Sequence, residues 1–201
     1  MPYIVSQKRQ RSDTNSSSVQ GAIEALDGAY LPIVAAGRTM LSIRDFYELG
    51  GPIVSDCIEG ERACSIAIVD IDRLFRISEQ HGPDCADHVL QEFGVNLIQL
   101  SSDLDISVAH LGQDQFGLLL VGLTSDTATE AFDRLRYELS LRPIGWKGET
   151  INITVSVGVA EVYGPETFDN YLNAAEQFLF MAKMSGRNQV VSDHTFAIAA
   201  H

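Results

Sequence analysis

The sequence predicts an α+β sandwich, with a central, mostly antiparallel sheet flanked by helices. Three observations carry that reading. Ala63 to Val69 is a continuous apolar run ending in Asp70-Ile71-Asp72, the pattern of a buried central strand. Ile106 to Ala109 and Phe116 to Val121 read as two strands joined across Leu111-Gly112-Gln113-Asp114-Gln115, a link short enough to imply an antiparallel hairpin. Between and after them lie apolar residues at helical spacing, so strands and helices share one core.

The elements follow in chain order. Residues 1 to 18 are polar, carry Lys8, Arg9 and Arg11, and run into a serine-rich stretch, which reads as a flexible leader. Val19, Ala22, Ile23 and Leu26 then mark a short amphipathic helix, so residues 1–35 form a leader plus helix and 36–201 the folded domain. A short helix is expected over Leu41 to Leu49, opening at Ser42 and stopped by Gly50-Gly51-Pro52. After Pro83-Asp84, the residues Ala86, Val89, Leu90, Phe93 and Leu97 form a helix face. Ser125 is placed to cap a helix carrying Ala128, Phe132, Leu135 and Leu139. Ile151 to Ala160 alternates as one strand, with Trp146 in a loop folded back before it. A long helix face runs from Phe168 to Ala182 and ends at Gly186.

Composition narrows the partners. The chain has 201 residues and a net charge of −13, a surface that repels phosphate backbones and anionic lipid. Nucleic acid and membrane insertion are therefore not expected, and no apolar run approaches the ~20 residues that span a bilayer. Cys57, Cys64 and Cys85 are a sparse, odd set, as for reduced thiols in a cytoplasmic protein.

Asp70 and Asp72 sit where the buried strand ends, and Asp114 sits at the hairpin tip. Carboxylates from adjacent strand ends suit a hard divalent cation whose shell substrate phosphates complete. Asp72 capping the next helix and Asp114 serving the turn is the alternative, and spacing alone leaves both open. Lys183 and Arg187, four apart at a helix end, face one anion or simply suit the helix dipole. His81, Cys85 and His88 have spacing that could ligate zinc, but Pro83 interrupts their helix and no fourth ligand is evident.

Five blocks, in order, resemble the GGDEF domain, the diguanylate cyclase family. Thr39-Met40-Leu41-Ser42-Ile43-Arg44 is similar to its opening segment. Val69-Asp70-Ile71-Asp72 with the following His81-Gly82 resembles its Asp-x-Asp strand. Leu111 to Phe116 stands where its signature hairpin belongs, and Thr154 to Ala160 resembles its penultimate strand. Ala182-Lys183-Met184-Ser185-Gly186-Arg187-Asn188 matches its ending. The resemblance implies a five-stranded, nucleotidyl-cyclase or palm-like domain in the order βααββαβ. It also implies condensation of two GTP molecules to cyclic di-GMP across a dimer. On that pattern Asp70, the Ile71 carbonyl and Asp114 would hold Mg²⁺. Lys183 and Arg187 would meet phosphates, while Ser78 and Asp87 stand at the guanine positions.

The departures are as informative. The signature reads Gly112-Gln113-Asp114-Gln115-Phe116, so a glycine and an acid are replaced by glutamines. Ser78 stands for the family's guanine-binding asparagine and Phe75 for a phosphate-binding lysine. Ala36, Met40 and Ile43 replace preferred residues of the opening turn. The family's product-inhibition motif corresponds to Asp103-Leu104-Asp105-Ile106 and is absent. Loss of one transition-state contact costs about a hundredfold or more. The expectation is a catalytically inactive domain serving regulation or protein interaction, with no cofactor required and Mg²⁺ only if nucleotide binds. A GTP or cyclic di-GMP sensor is the alternative, with an active cyclase third. A second copy or another protein is the expected partner, contacted through the helix around Val19 to Leu26.

Overall fold

The computed structural model describes residues 33–35, 38–100 and 106–195, all within one compact unit, Leu31–His201. The leader, the Val19 to Leu26 helix and Asp103 to Asp105 lie outside the described residues. The short strands β1 (Val34–Ala35) and β2 (Arg38–Thr39) pair antiparallel, and Ile33 is buried in the core.

A five-stranded sheet organises the domain. Its strands are β3 (Cys64–Ile71), β4 (Ile106–Gly112), β5 (Gln115–Val121), β8 (Val155–Glu161) and β9 (Val190–Ser192). They lie in the order β4-β5-β3-β8-β9, antiparallel except for the β8–β9 pair. Every residue of β3 is buried, Ser65 and Asp70 included, as expected of a strand covered on both faces. Its side chains alternate between two cores. Ala67, Val69 and Ile71 meet α2 (Leu74–His81), α3 (Pro83–Leu100) and α4 (Ser125–Leu141). Cys64, Ile66 and Ile68 meet α1 (Ile43–Glu59) and α5 (Phe168–Met184). Asp70 follows Ile68 on the α5 face, and this parity puts its carboxylate beneath the end of α5.

Close approach of α5 to the sheet depends on one glycine. A Cβ at Gly158 would lie 2.0 Å from the Ala175 carbonyl oxygen and 2.3 Å from the Leu179 nitrogen, so only glycine lets the helix backbone rest on β8.

Five expectations need correction. Helix α1 opens at Ser42 as expected, but it runs through Gly50-Gly51-Pro52 to Glu59. Gly50 does not end it. Its missing side chain admits the Phe168 ring, 2.5 Å from where a Cβ would stand, and Val54 and Cys57 prolong the buried face. Helix α4 is capped by Thr124, whose hydroxyl accepts from the Thr127 N–H, and Ser125 is its first residue. The strand expected over Ile151 to Ala160 is broken. Glu149–Ile151 forms β7, which pairs with β6 (Ile144–Trp146), and β8 begins only at Val155. Trp146 therefore lies on a small hairpin, not a loop, half-buried against the α3 side of the core. Asp72 caps nothing: the α2 N-cap is Arg73, in the left-handed region at φ 60 with no side-chain cap.

Candidate functional site

The end of β3 brings together the hairpin, the last turn of α5 and the turn after it. Asp70 pairs in register with Gln115 of β5 and Ser156 of β8. Its side chain is almost wholly buried, at 1% exposure. One oxygen, Oδ2, accepts from both the Lys183 ammonium and the Gln115 amide, the latter at 3.4 Å. Burial pushes the Asp70 carboxyl up to about 6. The Lys183 contact opposes that rise, and the nearby Asp114 charge adds to it.

The hairpin tip is held by the backbone. The Ile71 N–H donates to the Asp114 carbonyl at 3.1 Å, which fixes Asp114 beside the end of β3. Gln113 sits at φ 53, in the region that favours glycine, with its side chain exposed. His110 packs its ring on Phe116 at 5.0 Å and reaches the Gln113 carbonyl at 3.3 Å. Burial lowers the His110 pKa, against the pull of that carbonyl and of Asp114.

Asp72 is a second buried carboxylate, and sequence reading missed its role. It accepts from the Thr154 and Ser156 hydroxyls, both at 2.7 Å, and from the Asn188 N–H at 3.0 Å. These bonds tie β3 to β8 and to the turn after α5. In that turn Gly186, Arg187 and Asn188 all take positive φ, at 112, 69 and 49. A signal was available: Thr154 and Ser156 are polar on the face where β8 is otherwise buried.

The other sequence candidates are more scattered. Ser78 is half-buried on α2, where its carbonyl accepts from the Gly82 N–H. Asp87 is exposed on α3. Among the described residues, no hydrogen bond joins either to the Asp70 cluster. Phe75 is 72% exposed at the start of α2. Arg187 is half-buried on the left-handed turn, its N–H bonded to the Ala182 carbonyl.

The zinc candidates do not converge. His81 bonds Glu149 at 2.9 Å, and His88 bonds the Gly145 carbonyl at 3.1 Å and lies against Trp146. Cys85 is buried, which pushes its thiol pKa up, and Cys57 and Cys64 are likewise buried, neither in a disulfide. Among the described residues, no three His, Cys, Asp or Glu side chains gather as a metal site, and no helix is long and apolar enough to cross a membrane. The two groups that face Asp70 Oδ2 do not fit Mg²⁺. That ion requires oxygen ligands, yet the atoms facing Asp70 Oδ2 are N–H donors.

With this geometry in hand, similarity to other proteins is informative. The model of the GGDEF domain, described as diguanylate cyclase, matches residues 53–189, well over half of the chain. Diguanylate cyclase DgcP of Pseudomonas aeruginosa is 30% identical over 125 residues, covering 62% of this chain and 18% of the relative. The response regulator PleD of Caulobacter vibrioides is 30% identical over 130 residues, covering 63% and 28%. The chain thus spans less than a third of the length of either relative. Among solved structures, the GGDEF domain of DgcB from Caulobacter crescentus in complex with c-di-GMP aligns with a TM-score of 0.70. It is 22% identical and covers 74% of this chain and 88% of that one. Diguanylate cyclase SiaD from Pseudomonas aeruginosa, in complex with its activator SiaC, aligns at 0.68 and 22% identity, covering 88% and 66%. The five-stranded sheet, the position of the altered signature on its hairpin and the match to the family model agree: the chain belongs to the GGDEF domain family.

Proposed function

We propose that this chain is a catalytically inactive GGDEF domain that serves as a regulatory or protein-interaction module in cyclic di-GMP signalling. The observation that carries the reading is the hairpin tip. Gln113 holds an exposed side chain at positive φ where the family's glycine leaves bare backbone for the nucleotide. Gln115 places an amide donor, not an acid, against Asp70. Phe75 projects into solvent where the family has a lysine for phosphate, and Ser78 is too short for the guanine pairing of an asparagine. Each change removes a contact that strengthens in the transition state, and such losses multiply.

Self-association or another protein partner follows as the remaining use of the surface. The chemistry that would dictate a face-to-face dimer no longer constrains it. SiaD, solved in complex with its activator SiaC, offers a precedent on this fold. A second reading, a GTP or cyclic di-GMP sensor, draws on the retained Asp70, Asp114, Lys183 and Arg187, with Mg²⁺ entering only with nucleotide.

One assay separates these readings. The protein is incubated with Mg²⁺ and GTP, product is followed by chromatography, and binding of GTP and of cyclic di-GMP is measured by calorimetry. No cyclic di-GMP is expected. Turnover comparable to an ordinary cyclase overturns the proposal, and binding without turnover moves it to the sensor.

A further inference from the structure

We infer that Lys183 is the resident counter-ion of this site, standing where a divalent cation would otherwise neutralise Asp70. The inference rests on the reading of the site as no longer catalytic, and it adds how Asp70 is neutralised without a metal. Three observations carry it.

First, a carboxylate buried to 1% exposure must be paired, and Asp70 already is. The Lys183 ammonium and the Gln115 amide both donate to Oδ2, so this oxygen is engaged by hydrogens where a cation would otherwise sit. Second, the position where the family carries an acid has become a donor. A glutamate at 115 would add negative charge beside Asp70 and Asp114 and create demand for a divalent ion, whereas Gln115 closes the shell without charge. Asp70, Asp114 and Lys183 then leave one net negative charge. That is a weak inducement for an ion that dehydrates as reluctantly as Mg²⁺. Third, Lys183 is delivered by a firmly seated element. It sits in the last turn of α5, whose backbone rests on Gly158, and its side chain is only 28% exposed. An ammonium on that scaffold returns to the same place without ordering a flexible loop.

A consequence follows for ligands. While Lys183 is committed to Asp70 it is not free to meet a phosphate, so an anion entering the site must first break the pair.

The test uses the full chain and Mn²⁺ alone, read by the loss of free-ion signal in electron paramagnetic resonance. The native protein is expected to leave the Mn²⁺ signal that of the free ion. Lys183→Met, which frees Asp70 Oδ2, is expected to bind Mn²⁺ at least about tenfold more tightly, the scale on which outer contacts tune metal sites. The double variant Lys183→Met, Asp70→Asn should lose that gain. Capture of Mn²⁺ by the native chain, abolished by Asp70→Asn, overturns the inference. So does Lys183→Met that folds, as checked by circular dichroism, without gaining affinity. Should Lys183→Met not fold, the native measurement still decides, and Gln115→Glu supplies a second route with a gain expected there too. Mn²⁺ capture without cyclic di-GMP production would sink this inference alone, and production would sink the functional reading.

Discussion

Asp70 and Asp72 stand two residues apart on one strand end, on one face of one sheet, and their surroundings are opposite. Asp72 accepts from two hydroxyls and a backbone N–H, all neutral, all on segments that the fold fixes. Asp70 accepts from a long ammonium side chain and a glutamine amide, with another carboxylate close enough to raise its pKa. The first arrangement is a joint between β3, β8 and the turn after α5. The second is a charge pair at the sheet edge. A single Asp-x-Asp motif thus divides into a residue that joins segments of the fold and one held in a charged cluster, and the two are expected to respond differently to substitution.

The largest effect is expected at Asp72. Removing its carboxylate by Asp72→Ala strands three donors, the Ser156 hydroxyl buried and the other two partly so, and a buried donor left unpaired costs roughly 1–3 kcal/mol. The expected loss is about 3–5 kcal/mol of unfolding free energy by urea titration, with Asp72→Asn recovering part of it. If Asp72→Ala costs no more than Asp70→Asn at neutral pH, the division drawn between the two carboxylates fails.

Asp70→Asn tests the other half. A carboxyl raised from 3.8 to about 6 by burial binds its proton more tightly in the folded state than in the unfolded one. Its contribution to stability is therefore fully present below 3.8 and lost as pH rises through about 6. The shift corresponds to at most about 3 kcal/mol. The asparagine variant lacks this dependence, and its Lys183, partly exposed, turns to water. Between about pH 4 and pH 7 the stability difference should move toward the variant by about 1–3 kcal/mol. A difference that stays flat would mean the Lys183 pair fully offsets the burial cost.

Gln115→Glu comes next in size. A second carboxylate against Asp70 replaces a donor with a like charge, expected to lower stability by roughly 1–2 kcal/mol at neutral pH. The loss should shrink at acidic pH or on adding Mn²⁺. A loss independent of both would indicate a packing effect instead of charge.

How much of this was legible in the sequence follows from the physics of each element. The buried β3 run, the hairpin and the helix faces were readable because burial imposes a period on the residues that experience it. Helix α1 was misjudged because Gly50-Gly51-Pro52 reads locally as a stop, while the reason for Gly50 is the Phe168 ring from a distant helix. The break at Asn152 to Thr154 was hidden because alternation continues across it. At the site, Asp70, Asp114 and Lys183 were legible as chemistry-bearing types. The pairing of Asp70 with Lys183 was not, since Lys183 lies 113 residues from Asp70 and only the parity of β3 and the seating of α5 bring them together. Asp72's joint was missed for the same reason: its three donors come from two remote segments.

The smallest effect is expected at Gln113, and it bears on how far the site has diverged. At φ 53 a side-chain-bearing residue is strained by about 1 kcal/mol relative to glycine. Glycine, however, loses more freedom on folding, by about 0.5–1 kcal/mol. Gln113→Gly should therefore change stability by no more than about 0.5 kcal/mol, and it clears the exposed side chain from the hairpin tip. If the loss of chemistry were confined to that tip, Gln113→Gly combined with Gln115→Glu would restore cyclic di-GMP formation from GTP and Mg²⁺. No product is expected from the double variant, because Ser78 and Phe75 remain and neither base nor phosphate regains its partner. Product from the double variant, read by chromatography, would place the whole defect in two residues of one turn. The Asp70 pair with Lys183 would then be a resting state that substrate opens, not a replacement for the metal.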